Sequence, residues 1–220
     1  MKSIGRVATA KASSRSTAVV ARAPRQLRGQ ARVEGILDAA AAMIVDDGLA
    51  GVTMHELARR SQTSIGSLYH FFPDRESVVE ALYKRHQAVC CEICQALGET
   101  SHEVWQQLSA ASVIERLLTP YLEYLRQHAD FLAVMQSRLE GECDNVFIRL
   151  LREVLEARLP NLAPAERATY AAMLHAIGAG ITWMKFQTDP ANIEAYLREI
   201  PRVLTAYLIH IDMEAGGSDR

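Results

Sequence analysis

The side chains best suited to chemistry crowd into positions 53–78, TMHELARRSQTSIGSLYHFFPDRESV. Hydroxyls at Thr53, Thr63, Ser64 and Ser67, a phenol at Tyr69, an imidazole at His70 and a guanidinium at Arg75 follow one another closely. They come without a Gly-rich phosphate loop, a nucleophile elbow, a metal quartet or an interpretable pair of carboxylates. Such a set suits hydrogen bonding and charge pairing to an anionic surface rather than bond making. No enzyme, cofactor or metal site is expected from it.

A second constellation lies downstream. His86, Cys90 and Cys94 fall at i, i+4 and i+8, with Cys91 adjacent. They share one helix face and could form a thiol or soft-metal sensor. The spacing serves two ligands better than three, because the ends stand about 12 Å apart at the helical rise. Cysteine is also an ordinary apolar-core residue.

The elements that position the first set can be read locally. Thr53 and Glu56 spell a T-x-x-E capping box, so a helix begins near Met54, with Leu57 and Ala58 inward. Ser61, Gln62 and Thr63 break the apolar period. Ser64 caps a second short helix, in which Ile65, Leu68 and Phe72 can share one face. Pro73 stops it and Asp74 caps the next. Upstream, Ile36, Leu37, Ala40, Ala41 and Ile44 stripe a helix over 31–47, closed by Gly48. Two short helices around a tight turn, on a small three-helix core, are the form in which a helix is offered to the major groove of DNA.

The run Thr53…Leu57-Ala58…Ser64-x-Gly66-x-Leu68-Tyr69…Phe72…Arg75-Glu76 resembles the helix-turn-helix of the TetR family of bacterial repressors over about 31–79. The resemblance implies an all-α chain with a three-helix head and a larger helical body that binds an effector and dimerises. It also implies roles. Thr53 caps its helix and donates to a phosphate; Thr63, Ser64, Ile65, Gly66 and Ser67 open the recognition helix and face bases or backbone. Tyr69, His70 and Arg75 reach phosphates, and Gly66 permits close approach. Two positions depart from the family pattern. Gln62 stands where the turn usually has Gly, and Phe71 where a phosphate-contacting His is usual.

Charge is distributed unevenly. The net is −2, yet the first 33 residues hold eight basic side chains and no acidic one, leaving −10 for the rest. The recognition helix itself has neither Lys nor Arg. Much of the phosphate neutralisation should then come from a basic arm over 1–29, disordered until bound, with hydroxyls and backbone N–H groups setting register. The arm is Arg-rich, Ser-rich and acid-free like a transit peptide, but has no continuous apolar core like a secretory signal. No stretch is long and apolar enough for a membrane span, so a cytoplasmic protein with no membrane partner is expected. Four cysteines there should be thiols.

With 220 residues, 49% of them apolar, the chain has room for a head over 30–76 and a body over 77–220, about nine helices in all. Helices are expected over 75–97, 109–127, 130–139, 144–159, 164–187 and 189–213, with Pro120 and Pro201 inside two of them. The last two carry apolar residues on more than one face. Met173, Ile177, Gly180, Ile181, Met184, Leu197, Leu204 and Leu208 are therefore expected to meet a second copy; in the family the corresponding helices form a four-helix interface. A two-fold dimer would face an inverted-repeat operator with recognition helices about 34–36 Å apart. Trp105, Tyr121, Tyr124, Phe131, Met135, Phe147, His175 and Trp183 are candidate lining for a largely apolar or aromatic effector. The reading is a ligand-responsive DNA-binding regulator, most simply a repressor. The alternatives are the thiol or metal sensor above and a helical interaction module without DNA binding.

Overall fold

The computed structural model describes residues 22–137 and 146–217, and among these the chain is all-α. Its helices are α1 Arg22–Asp47, α2 Met54–Arg60, α3 Ile65–Phe71, α4 Arg75–Gly98, α5 His102–Gln107, α6 Ala110–Gln127, α7 Phe131–Gln136, α8 Val146–Arg158, α9 Pro164–Thr188 and α10 Ile193–Gly217. Helix α5 is additional to the expected set; its HEVWQQ sequence buries only Trp105 and so carries little apolar period.

Helix α1 begins at Arg22 rather than at 31, so part of the expected disordered arm is helical. Arg, Gln, Leu and Ala are good helix formers, and Pro24 sits in the first turn, where a missing N–H costs little. Residues 1–21, with the other basic side chains of the arm, lie outside the described residues. So do the ends of the expected helices over 138–139 and 144–145.

The head is built on Ile36, Met43, Leu57, Leu68 and Leu82, all buried. Val134, from α7 of the body, belongs to the same cluster and is fully buried in it. The caps that shape the head are local. Glu56 N–H donates to Thr53 Oγ1 over 3.3 Å and Ser67 N–H to Ser64 Oγ over 3.3 Å. Asp74 and Ser77 close a full capping box. The box expected at Thr53 is only half made: the Glu56 carboxylate turns instead to Arg59 and Arg60. Those two hydrogen bonds, Arg59 first, hold its carboxyl down to about 2. Arg60 also reaches Asp46 at 2.6 Å and Asp47 at 3.1 Å, tying α2 to the end of α1.

The turn between α2 and α3 is a helix C-terminal motif with Gln62 in the left-handed region at φ 51°. Gln62 N–H donates to Arg59 C=O at 3.3 Å and Thr63 N–H to Ala58 C=O at 3.0 Å, so two carbonyls at the end of α2 are satisfied.

In the body, α6, α8, α9 and α10 pack around Trp105, Val113, Leu117, Leu151 and Leu155. Leu197, Leu204 and Leu208 lie in this core at 2, 3 and 1% exposure, which corrects their assignment to a dimer face. With Ile200 and Ile211 they form the inward stripe of α10, and a side chain without exposed area has none to give a second copy. Ile177 and Ile181 are half-buried against the same core. Met173 and Met184 remain exposed at 45 and 52%. A Cβ on Gly178 would make only ordinary contact with Leu204 Cδ1, at 3.5 Å, so the packing of α9 on α10 does not require glycine there; one on Gly180 would meet nothing within 4 Å.

Candidate functional site

Helix α3 is a seven-residue lever anchored by Leu68, its one buried residue, and followed by buried Phe72. Ile65 does not join them inside: it is 38% exposed, because the first turn projects beyond the head core. Gly66 and His70 are exposed beside it, and Tyr69 is 46% exposed. A Cβ on Gly66 would meet nothing within 4 Å, so nothing inside the chain requires glycine there. Ser64 and Thr53 are exposed and engaged as caps. Thr63 is half-buried, its hydroxyl donating to Ser61 C=O at 3.3 Å. Ser67 Oγ accepts from Arg32 Nη1 of α1 at 3.5 Å.

Arg75 departs from its expected aim at a phosphate. Its Nη2 donates to Leu49 C=O at 2.8 Å and its Nη1 pairs with Glu76 at 3.2 Å. The guanidinium thus pins the turn between α1 and α2, as a second donor to a carbonyl that also accepts from Val52 N–H at 3.3 Å.

A cavity of about 440 Å³ lies in the body between α4, α6, α7, α8, α9 and α10. Tyr121, Phe131, Met135, Phe147, His175 and Trp183 line it, together with Cys90, Cys91, Cys94, Leu118, Ala179 and Thr182. Among the described lining residues there is no Asp, Glu, Lys or Arg. Burial lowers the pKa of His175, which favours its neutral form at pH 7. Two aromatic candidates are elsewhere. Trp105 is packed in the body core under the Arg116 guanidinium, and Tyr124 faces His86.

The cysteines belong to the cavity wall, a role their spacing on one face of α4 could have signalled once aromatic partners were sought. Cys94 Sγ lies 2.8 Å from Tyr121 Oη. Burial pushes the Cys90 thiol up to about 12 and raises that of Cys94. His86 turns away from a metal role: Nδ1 meets Tyr124 Oη at 2.7 Å and Nε2 meets Asp130 Oδ2 at 2.9 Å. Among the described residues no cluster of three or more His, Cys, Asp or Glu could hold a metal ion. With protonated thiols and an occupied imidazole, the thiol- or metal-sensing alternative has no supporting geometry among the described residues.

Sequence reasoning missed this polar junction. Phe131 lines the cavity and also sets its ring edge against His86, with centroids 5.3 Å apart. The preceding residue, Arg85, pairs with Asp38 at 2.7 Å and Glu34 at 3.6 Å, both on α1. One turn of α4 is thereby held by the cavity wall on one side and by the head on the other.

A helix-turn-helix head joined by a long helix to an α-helical body with an internal cavity defines the class of protein. Residues 36–82 match the family model of bacterial regulatory proteins of the tetR family. Residues 109–208 match the tetracyclin repressor-like C-terminal domain. The chain belongs to the TetR family. An uncharacterized HTH-type transcriptional regulator of Bacillus subtilis is 26% identical over 139 residues, covering 61% of this chain and 34% of that protein. One of Mycobacterium tuberculosis is 31% identical over 124 residues, covering 56% of this chain and 62% of that protein. The matches thus span about a third to under two thirds of these relatives' lengths. A TetR-like transcriptional regulator from Rhodococcus superposes with a TM-score of 0.58 at 18% identity, over 80% of this chain and 92% of that one. At that identity the likeness is one of fold. Among the described residues no helix is long and apolar enough to cross a membrane.

Proposed function

We propose that this chain is a ligand-responsive DNA-binding transcriptional regulator. It acts in the cytoplasm as a homodimer that represses from an inverted-repeat operator and is released by a small, uncharged, apolar or aromatic effector. The observation that carries the reading is the outer surface of α3. Ile65, Gly66, Tyr69 and His70 stand exposed on a helix anchored from behind by Leu68, and Gly66 has open space where close approach to a groove would need it. Thr53 and Ser64 cap helices through their hydroxyl oxygens, Ser67 Oγ accepts from Arg32, and all three hydroxyls can also donate to phosphate.

Support for a second copy comes from α9. Met173, Gly180 and Met184 recur at helical spacing on its exposed face, and Gly180 is open to a neighbouring helix. Support for the effector comes from the cavity, whose size and apolar, aromatic lining suit a small molecule. An ionised group would lose its hydration there with no opposite charge among the described lining residues, so an uncharged ligand is favoured. Binding acts through the contacts of α4: an effector that prefers one placement of α4 must weaken operator binding by the same coupling energy.

The test is a gel-shift titration of the chain against the DNA upstream of its own gene, followed by a thermal-shift screen with matched neutral and carboxylate aromatics. Salt-dependent binding to an inverted repeat, relieved by a compound that raises the melting temperature, is expected. A chain that binds no DNA at low salt would return the reading to an interaction module. Ala179→Trp, which fills the cavity, is expected to abolish the thermal shift and leave DNA binding intact.

A further inference from the structure

The head's cations are divided between two tasks. Between positions 27 and 82 they are Arg28, Arg32, Arg59, Arg60 and Arg75, with no lysine. Three are engaged inside the head. Arg59 is held by Glu56, Arg60 by Glu56, Asp46 and Asp47, and Arg75 by Leu49 C=O and Glu76. Among the described residues, Arg28 and Arg32 have no carboxylate partner, and both are exposed. Both lie on α1, one helical turn apart and therefore on one face. Arg32 reaches α3, its Nη1 at 3.5 Å from Ser67 Oγ, which sets this face against the edge of the recognition helix.

We propose that Arg28 and Arg32 are the phosphate contacts that flank the recognition helix, and that α1 is a second DNA-binding element beside α3. The inference rests on the DNA-binding reading above. Duplex DNA carries one negative charge per about 1.7 Å of axis, and a surface that meets it needs uncommitted cations. Here α3 has none, and the other arginines of the head are already paired. The 3.5 Å contact to Ser67 is at the outer limit of a hydrogen bond, so it yields readily to a phosphate oxygen. Arg32 then leaves the Ser67 hydroxyl free to turn to the groove. These contacts carry no sequence information; they set affinity and orientation.

The test uses the full chain and a mixed-sequence duplex of about 40 bp, followed by fluorescence anisotropy between about 50 and 200 mM salt, a range over which phosphate contacts dominate affinity. Replacing both arginines by alanine (R28A with R32A) is expected to flatten the plot of log K against log salt by about 1.8 per bound protomer, at about 0.9 per phosphate. The R28K with R32K pair is expected to restore the wild-type slope. An unchanged slope in the alanine pair, with the wild type binding normally, overturns the inference and spares the DNA-binding reading. Failure of the wild type to bind overturns both. Circular dichroism should show unchanged helicity, since both side chains are exposed. If the alanine pair unfolds, R28Q with R32Q removes the charge at similar length and decides the question by the same slope.

Discussion

His86 Nε2 lies 2.9 Å from Asp130 Oδ2, and both side chains are buried. One residue of α4 is thus bonded to the start of α7, and through its other nitrogen to Tyr124 of α6. Burial pushes the Asp130 carboxyl up, but the hydrogen bond and charge of His86, with help from Arg85, outweigh it and leave the carboxyl below its ordinary range. A carboxyl lowered on folding stabilises the protein above its unfolded pKa, about 3.9, and that stability is lost as pH falls through the folded value. Asp130→Ala is expected to cost about 3 kcal/mol at pH 7, the scale for breaking a buried pair. Urea unfolding at pH 7 and across a series of lower pH values checks both statements. Wild type and Asp130→Asn should differ at pH 7 and converge in acid; a constant gap would show that charge plays no part.

Gln62 holds a left-handed conformation between α2 and α3, where a side chain is strained by about 1 kcal/mol or more. Gly is free of that strain but gains entropy when unfolded, which offsets part of the gain. Gln62→Gly is expected to raise unfolding free energy by about 0.5–1 kcal/mol. An equal or lower midpoint in chemical denaturation would mean that the side chain contributes to the turn.

Tyr69 is exposed and anchors nothing inside the head. Its loss should therefore be felt only on DNA. Tyr69→Ala is expected to weaken operator affinity about tenfold per half-site, the worth of about 1.5 kcal/mol for a hydrogen bond to a charged acceptor. Thermal stability and oligomeric state should not change. Unaltered affinity would remove Tyr69 from the contact surface.

Met173 and Met184 lie on the uncovered face of α9, whereas Leu204 lies beneath it. Replacing both methionines by lysine is expected to yield folded monomers in sedimentation velocity. Leu204→Ala is expected to lower the chain's own stability by about 2–5 kcal/mol. A double-lysine variant that still sediments as a dimer would move the interface elsewhere.

The head was legible because its signals are local. Thr53, Ser64 and Asp74 each cap the helix that follows, and each does so with a backbone N–H three residues on. What escaped there depends on residues distant in the chain. Glu56 is claimed by Arg59 and by Arg60, which also binds Asp46 and Asp47, and Arg75 by the carbonyl of Leu49. The body is harder to read for a physical reason. Aromatic composition identifies Tyr121, Phe131 and Trp183 as interior, but cannot tell a cavity wall from a packed core, so Trp105 was grouped with them. Helix α10 is apolar on several faces, and periodicity alone does not reveal that Leu197, Leu204 and Leu208 point inward while Val203 and Ile209 point outward.

Val134 completes the head's core from α7, fully buried among Ile36, Leu57 and Leu82. The head is accordingly a socket whose plug is encoded some fifty residues further along the chain. Severed after Leu82, it would keep a hole lined with aliphatic groups; transplanted onto a foreign scaffold, it would need a replacement of matching shape. Engineers who swap sensing modules between such regulators should therefore move the junction so that Val134 travels with the DNA-reading half.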